Sequence, residues 1–460
     1  YLPDTFGHIA QMPQLLSRSG IGSFIYTRGS GDELDDLGLD YLWRAPDGSD
    51  LVYSGYIGGD QWDFGESIVV DSAGHAYVHG PACDRYGVAG YPSFPTKVGP
   101  DLTHNGMCDA FVVKLAADPT LPVTLEDFEY AGFIGGSGHD VGYYCWGDAG
   151  GSGCAATSGH VNIDASGALY ISGETTSTEA TFPDGDGFGD LPGPDQTHNG
   201  GEIGWDVEEW DAYIAKVRPD GSGLVYAGYV GGDGDDFGAG MVVDREGNAY
   251  FGGDTTSAED TFPDGDGFGA LRGPDVTFNN PGDRSTVLDA FVVKVSADGA
   301  RLVWAGYVGG EGNDQVYPVD LDAQGRLYLA GRAESTEDSF PVVNGPDLTH
   351  NGPKCLDPTD MCGDAFVARL KDDPTDADPC ANFDYLGYVG GDGEDGAYWM
   401  VVSPAGDAYL AGDTRSSADT FPDGDGLGDL PSPARSRPGG DQDAFVAKVR
   451  FGDQSATPWP

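Results

Sequence analysis

One segment recurs five times along this chain, and the recurrence constrains its fold more than any other feature. Tyr-x-Gly-(Tyr/Phe)-(Ile/Val)-Gly-Gly occurs at 53–59, 130–136, 226–232 and 385–391, and 304–310 is a copy led by Trp304. Successive starts lie 77, 96, 78 and 81 residues apart. After each copy comes a polar turn ending in Asp: Asp63, Asp140, Asp236, Asp314 and Asp395. Two apolar stretches joined by a Gly turn follow, then a long loop containing Phe-Pro. Each unit then resumes with Asp-Ala-(Phe/Tyr)-(Val/Ile), at Asp109, Asp211, Asp289, Asp364 and Asp443.

Each unit offers four short strands, alternating or continuously apolar and bounded by Gly, Asp and Pro. One four-stranded sheet cannot cover both its faces, whereas sheets stacked around an axis cover one another. The expectation is an all-β chain, a β-propeller of four-stranded antiparallel blades with five full repeats. A parallel β-helix normally has much shorter coils than these units. Two closures fit the sequence. Five blades result if Leu51–Gly58 completes the last one. Six result if Gln14–Gly29 and Leu39–Ala45 form a degenerate N-terminal blade. Residues 1–50 are thus set apart from the repeats at 51–460.

Charge narrows the function. With 76 Asp and Glu against 23 Lys and Arg, the net charge of −53 repels phosphates and excludes nucleic-acid binding. It argues equally against an anionic membrane surface, and no run of 18 apolar residues exists to insert into one. The 21 Phe, 23 Tyr and 8 Trp can supply a large core. Tyr1 stands where an initiator Met or signal peptide would, so a processed product or fragment is expected.

The repeat resembles the bacterial SBBP β-propeller repeat. The matching residues are the Tyr-x-Gly-Tyr-Val-Gly-Gly strand, Val-Val-Asp-x-x-Gly-Asn-Ala-Tyr at Val242–Tyr250 and Asp-Ala-Phe-Val-Val-Lys at Asp289–Lys294. The likeness spans about 51–450 and implies a secreted or surface protein. It implies a fold more firmly than a function. Residues 1–50 differ. Leu2-Pro3-Asp4-Thr5-Phe6-Gly7-His8 and Ala10-Gln11-Met12-Pro13-Gln14 resemble a piece of a family 38 α-mannosidase. That resemblance maps a zinc-ligating nucleophile onto Asp4. No His-x-Asp occurs to complete the ligand set, and one carboxylate does not hold zinc. The expectation is a catalytically inert segment.

Three units carry Phe-Pro-Asp-Gly-Asp-Gly, with Asp184 and Asp186, Asp264 and Asp266, and Asp423 and Asp425. Two carboxylates on one tight turn, with glycines that let carbonyls turn inward, give the oxygen-rich geometry that Ca²⁺ prefers. Asp190 and Asp429 lie six residues after the first Asp of their loops and could add ligands, whereas the middle loop has Ala270 there. Asp233 and Asp235 form a further candidate cluster beside Asp236. The calcium expectation competes with salt adaptation, since the chain has only 7 Lys against 16 Arg and self-repulsion of this size needs counterions. The Asp residues that end the Gly-Gly turns are read as turn caps, with pairing to Lys114, Lys216, Lys294, Arg369 and Lys448, or a Ca²⁺ role, as the alternatives.

Gly-Pro-Asp-x-Thr-His-Asn-Gly recurs at 99–106, 193–200 and 345–352. A propeller keeps His104, His198 and His350 apart, so they are read as packed turn histidines, not a metal cluster. The seven cysteines suggest three local disulfides, Cys83–Cys108, Cys145–Cys154 and Cys355–Cys362, with Cys380 left over. Such staples suit an extracellular location.

No catalytic set stands out. The expected function is a secreted or cell-surface, non-enzymatic propeller with a structural, adhesive or assembly role, stabilised by Ca²⁺. Its partners would be further copies or other surface proteins. The alternative is a lectin-like module binding glycans through Trp62, Trp146, Trp205 or Trp210. A glycoside hydrolase rests on the N-terminal likeness alone.

Overall fold

A computed structural model describes residues 43–44, 50–51, 55–59, 62–83, 94–119, 124–145, 154–158, 160–200, 210–279, 287–353, 363–428, 430 and 442–451. The repeats fold as five antiparallel sheets, here blades 1 to 5. Blades 2, 3 and 4 have four strands each, paired in chain order. Blade 3, for example, consists of Asp236–Val243, Ala249–Thr255, Asp289–Val295 and Leu302–Val308. Blade 1 pairs Ala76–Cys83, Cys108–Leu115 and Phe128–Ile134 in the same way, and its first strand is split into Trp62–Asp63 and Ser67–Val70. The first strands of successive blades lie against one another, which is the propeller arrangement the repeat implies.

The middle strands are apolar without alternation because neighbouring blades cover both faces. In Asp289–Val295 every residue but one is buried. Tyr226 and Val230 of blade 2 share a core with Phe251, Phe291 and Tyr307 of blade 3, and the other boundaries are built alike. The Phe of the first four Phe-Pro segments is buried among these rings, and Phe421 is partly buried. Phe182 lies 5.1 Å from Tyr213 and 5.2 Å from Tyr229.

Blade 5 has three strands, Asp395–Val402, Asp407–Thr414 and Asp443–Arg450. The completion of this sheet by Leu51–Gly58 is not seen among the described residues. Leu51 pairs with Trp43 in a short hairpin, and residues 55–59 form no strand. Ile57 instead packs against the core of blade 1. Trp399 and Val401 are 68% and 64% exposed, at positions where Gly240 and Val242 of blade 3 are buried by blade 4. Among the described residues, nothing covers this face of blade 5. The Cys83–Cys108 disulfide is formed and Cys380 is free and exposed. Cys145 and Cys154 face each other in the register of a small hairpin, while Cys355 and Cys362 lie outside the described residues.

Candidate functional site at the blade junctions

Strand order gives each blade two unlike rims. The turns between strands one and two have four or five residues, and those between strands three and four have six to twelve. The connections between strands two and three, and from one blade to the next, leave from the opposite rim and carry all the long loops. The first may be named the turn rim and the second the loop rim.

At the turn rim, aspartate meets cations. Asp164 accepts from the Ser166 and Ala168 amides at 2.9 and 3.1 Å and from the Tyr170 hydroxyl at 3.1 Å, with Lys216 Nζ also 3.1 Å away. Lys216 also sits 4.5 Å over the Tyr170 ring, a cation–π contact. Asp322 repeats the turn with Arg326 Nε at 2.6 Å. Burial alone would raise Asp164 and Asp322, but these hydrogen bonds and cations outweigh it, so both lie below the ordinary carboxylate range. The repeated Lys and Arg thus serve this rim. Lys114 pairs with Glu129, Lys216 with Asp164, Arg369 with Asp384 and Lys448 with Asp407.

At the loop rim, aspartate meets aspartate. Asp140, Asp236, Asp314 and Asp395 cap the Gly-Gly turns as the sequence suggests, each Oδ2 accepting from the amide four residues back at 2.8–2.9 Å. Facing them across each junction are Asp109, Asp211, Asp289 and Asp364, the first residues of the Asp-Ala-Phe-Val strands. A Cβ built on Gly231, between the two, would fall 2.5 Å from Asp211 Oδ1 and 2.7 Å from Asp236 Oδ2. All eight residues are at most 1% exposed. None forms an ion pair or hydrogen bond with Lys, Arg or His among the described residues. Burial, and then Asp236, lifts Asp211 well above the ordinary carboxylate range, and burial pushes Asp236 up to about 7. Asp140 and Asp395 rise to about 6 and Asp364 to about 8, burial again leading.

The acidic loops lie against these junctions. Asp184, Asp264 and Asp423 bridge the backbone of Gly135, Gly231 and Gly390, and Gly185, Gly265 and Gly424 abut the side chains of Asn105, Asn199 and Asn351. Only glycine fits there, since a Cβ would collide with the Asn amide and φ is +77 to +84° at all three. The Asp-x-Thr-His-Asn segment of one unit therefore docks the acidic loop of the next. Asp186, Asp266 and Asp425 donate their amides back to Asp184, Asp264 and Asp423 at 3.3–3.4 Å. Asp190 is exposed and Asp429 lies outside the described residues. Asp233 accepts from the Thr261 hydroxyl at 2.7 Å, and buried Asp235 accepts from the Trp210 amide at 3.4 Å. Among the described residues no three acidic, His or Cys side chains converge as a metal-binding group. The junction between blades 3 and 4 has no acidic loop, because Pro341-Val342-Val343 stands in its place.

The three repeated histidines are packed, as expected. His104, His198 and His350 point Nε2 at the carbonyls of Ala82, Thr175 and Ala333, 2.9–3.4 Å away. Each lies edge-on to an aromatic ring 5.5–5.6 Å away. Phe278 fills the same place against Tyr307 in the unit that lacks the His. Trp210 is buried, Trp62 is half-buried, and Trp146 and Trp205 lie outside the described residues.

Sequence reading missed the partners of the caps, although Asp109, Asp211, Asp289 and Asp364 recur with the same period. It also missed a polar network beside the first strands of blades 3 to 5. Asp254 accepts from the Val316 amide at 3.0 Å and from Gln315 Nε2 at 3.2 Å. Gln315 Oε1 accepts from Arg332 Nη2 at 2.7 Å and Tyr317 at 2.9 Å. Burial pushes Asp254 to about 7, and burial together with Glu174 pushes Glu66 to about 8. These residues share no motif, so the repeat gives no sign of them.

An SBBP β-propeller repeat model matches residues 225–259. That stretch holds the last strand of blade 2 and the first two of blade 3. The N-terminal domain model of glycosyl hydrolases family 38 matches residues 1–65, most of which lie outside the described residues. No curated protein matches the chain by sequence. Among solved structures, a protein of unknown function from Dyadobacter fermentans is 10% identical with a TM-score of 0.37, covering 79% of this chain and 78% of its own. A GH43_1 enzyme from Xanthomonas citri is 12% identical with a TM-score of 0.31, covering 87% and 95%. An arabinoxylan arabinofuranohydrolase of glycoside hydrolase family 43 from Bacillus subtilis is 12% identical with a TM-score of 0.18, covering 61% and 59%. Enzymes among these neighbours overturn the expectation that the chain is no enzyme, because that expectation rested on the absence of a legible catalytic set. At TM-scores of 0.18–0.37 these likenesses carry no argument about the chain's fold and lend it no activity.

Proposed function

We propose that the chain is the recognition module of a secreted or surface-bound protein, acting through its loop rim in adhesion or assembly. The observation that carries this reading is the segregation of loops. Every connection of more than twelve residues and all three acidic loops leave from one rim, and long loops held on a rigid scaffold are where binding is built. The partner would be another copy of the chain or a second surface protein. The half-buried or buried state of Trp62 and Trp210 speaks against those two as sugar platforms. Ca²⁺ on the acidic loops is part of the same reading. Burial, with Asp101 among the nearby carboxylates, raises Asp184, and a divalent cation would relieve that crowding. Loop carbonyls and water would have to complete its shell. The test is sedimentation across a concentration series, with Ca²⁺ and with EGTA. Calcium-dependent association that Asp184→Asn with Asp264→Asn weakens supports the reading. A monomer at every concentration, with no response to Ca²⁺, removes the assembly and calcium parts of it.

A further inference from the structure

Asp289 and Asp314 meet at the described junction that has no acidic loop. A Cβ on Gly309 would lie 2.9 Å from Asp289 Oδ1 and 3.2 Å from Asp314 Oδ2, so the two carboxyls flank that glycine. Their surroundings are unequal. Asp314 Oδ2 accepts from the Gly310 amide at 2.8 Å and the Ser335 hydroxyl at 2.5 Å, and its Oδ1 from the Ser335 amide at 3.2 Å. Among the described residues, Asp289 Oδ2 accepts one amide, that of Asn279 at 3.3 Å, and its Oδ1 has no hydrogen-bond partner. Among the described residues, the other titratable groups facing the pair are Asp275, Asp254, Glu334 and the Tyr388 phenol. The nearby cation, Arg332, is engaged by Gln315 and Glu334.

Two buried anions side by side, without a cation, are strongly disfavoured. Three donors favour the charged form of Asp314, and a bare oxygen favours the acid form of Asp289. We propose that Asp289 is held as a carboxylic acid whose Oδ1–H donates to Asp314, so that a single shared proton closes this blade junction. In Asp211 with Asp236, and in Asp364 with Asp395, the strand-three residue again has an unpartnered Oδ1, but there the Oδ1 of the capping residue is unpartnered as well. In those pairs Asp236 and Asp395 keep a backbone amide and a serine hydroxyl on Oδ2. The pair titrates as a unit. Burial, and then Asp314, raises Asp289, and burial pushes Asp314 to about 7. The native state thus holds a proton that the unfolded chain releases near pH 4. That contribution is present in mild acid and is lost as the pH rises through about 7.

The test is thermal unfolding of the whole chain between pH 5.5 and 9, with EDTA and with Ca²⁺, for wild type, Asp289→Asn and Asp314→Asn. Infrared spectra of the folded proteins at pH 6 give a second readout. An Asn amide donates where the acid O–H did. Asp289→Asn is therefore expected to match wild type at pH 5.5 and to exceed it at pH 9 by about 2–4 °C. It should also lose intensity in the carboxylic-acid C=O band. Asp314→Asn is expected to melt lower at every pH, because its amide cannot accept from all three donors. The proposal is overturned if Asp289→Asn keeps the full pH slope and the full infrared band. It is equally overturned if Ca²⁺ raises the wild-type midpoint and Asp289→Asn abolishes that rise, since a cation would then occupy the place of the proton. Should Asp314→Asn fail to fold, Asp289→Asn and the infrared band decide alone.

Discussion

Asp164 and Asp236 belong to adjoining blades of one repeat family, yet their surroundings push them in opposite directions. At the turn rim Asp164 has a lysine, a tyrosine hydroxyl and two backbone amides, and burial is more than offset. At the loop rim Asp236 faces Asp211 across a glycine, no cation among the described residues reaches either, and burial dominates both. The chain is too poor in Lys and Arg to pair both rims, with 23 cations for 76 acids, and the repeat places them at the tight turns. The loop rim must neutralise its acids by another route.

The largest effect expected from this contrast comes from removing a cap. Asp236→Ala strands the Gly232 amide and the Ser257 hydroxyl in a dry junction and should lower unfolding free energy by roughly 3 kcal/mol or more. Asp164→Ala, whose orphaned donors lie nearer water, should cost about 1 kcal/mol. Denaturant midpoints compare the two, and equal losses would erase the distinction between the rims. Next are the glycines. Gly231→Ala drives a methyl into both carboxyls and should cost about 1–3 kcal/mol. Gly325→Ala meets nothing within 4 Å and strains only a φ of +82°, for about 1 kcal/mol.

The pH profile is the third test. Raised carboxyls at the loop rim make the melting midpoint fall as pH climbs through 6 to 8. The turn rim acts in the opposite sense. Asp71 is raised by burial and lowered more strongly by His75 and its backbone bonds, to about 2, so its contribution is lost as pH drops from about 4 towards 2. Maximum stability is therefore expected in mild acid, and a midpoint still rising at pH 9 would contradict the loop-rim description. The smallest effect is Lys216→Met, which removes a partly exposed ion pair and a cation–π contact. It should cost up to about 1 kcal/mol, less at high salt.

Sequence by itself determined the blades. A motif that recurs five times, with strand-length apolar runs and Gly-rich turns, leaves stacked four-stranded sheets as the way to bury both faces. The register of Asp289–Val295 on Ala249–Thr255 follows from that pattern. The caps at Asp140, Asp236, Asp314 and Asp395 and the packed histidines were legible for the same reason, being local and periodic. The acidic loops were legible as chemistry but not as neighbours of Asn105, Asn199 and Asn351, which belong to the preceding units. Tertiary structure alone decided what each aspartate faces. Asp211 and Asp236 are 25 residues apart, and whether such a pair is screened by water or forced to share a proton depends on two blades closing over it. Burial and mutual distance set carboxyl chemistry, and neither is written in the local sequence. The same holds for Asp254, Gln315 and Arg332, which three different strands bring together.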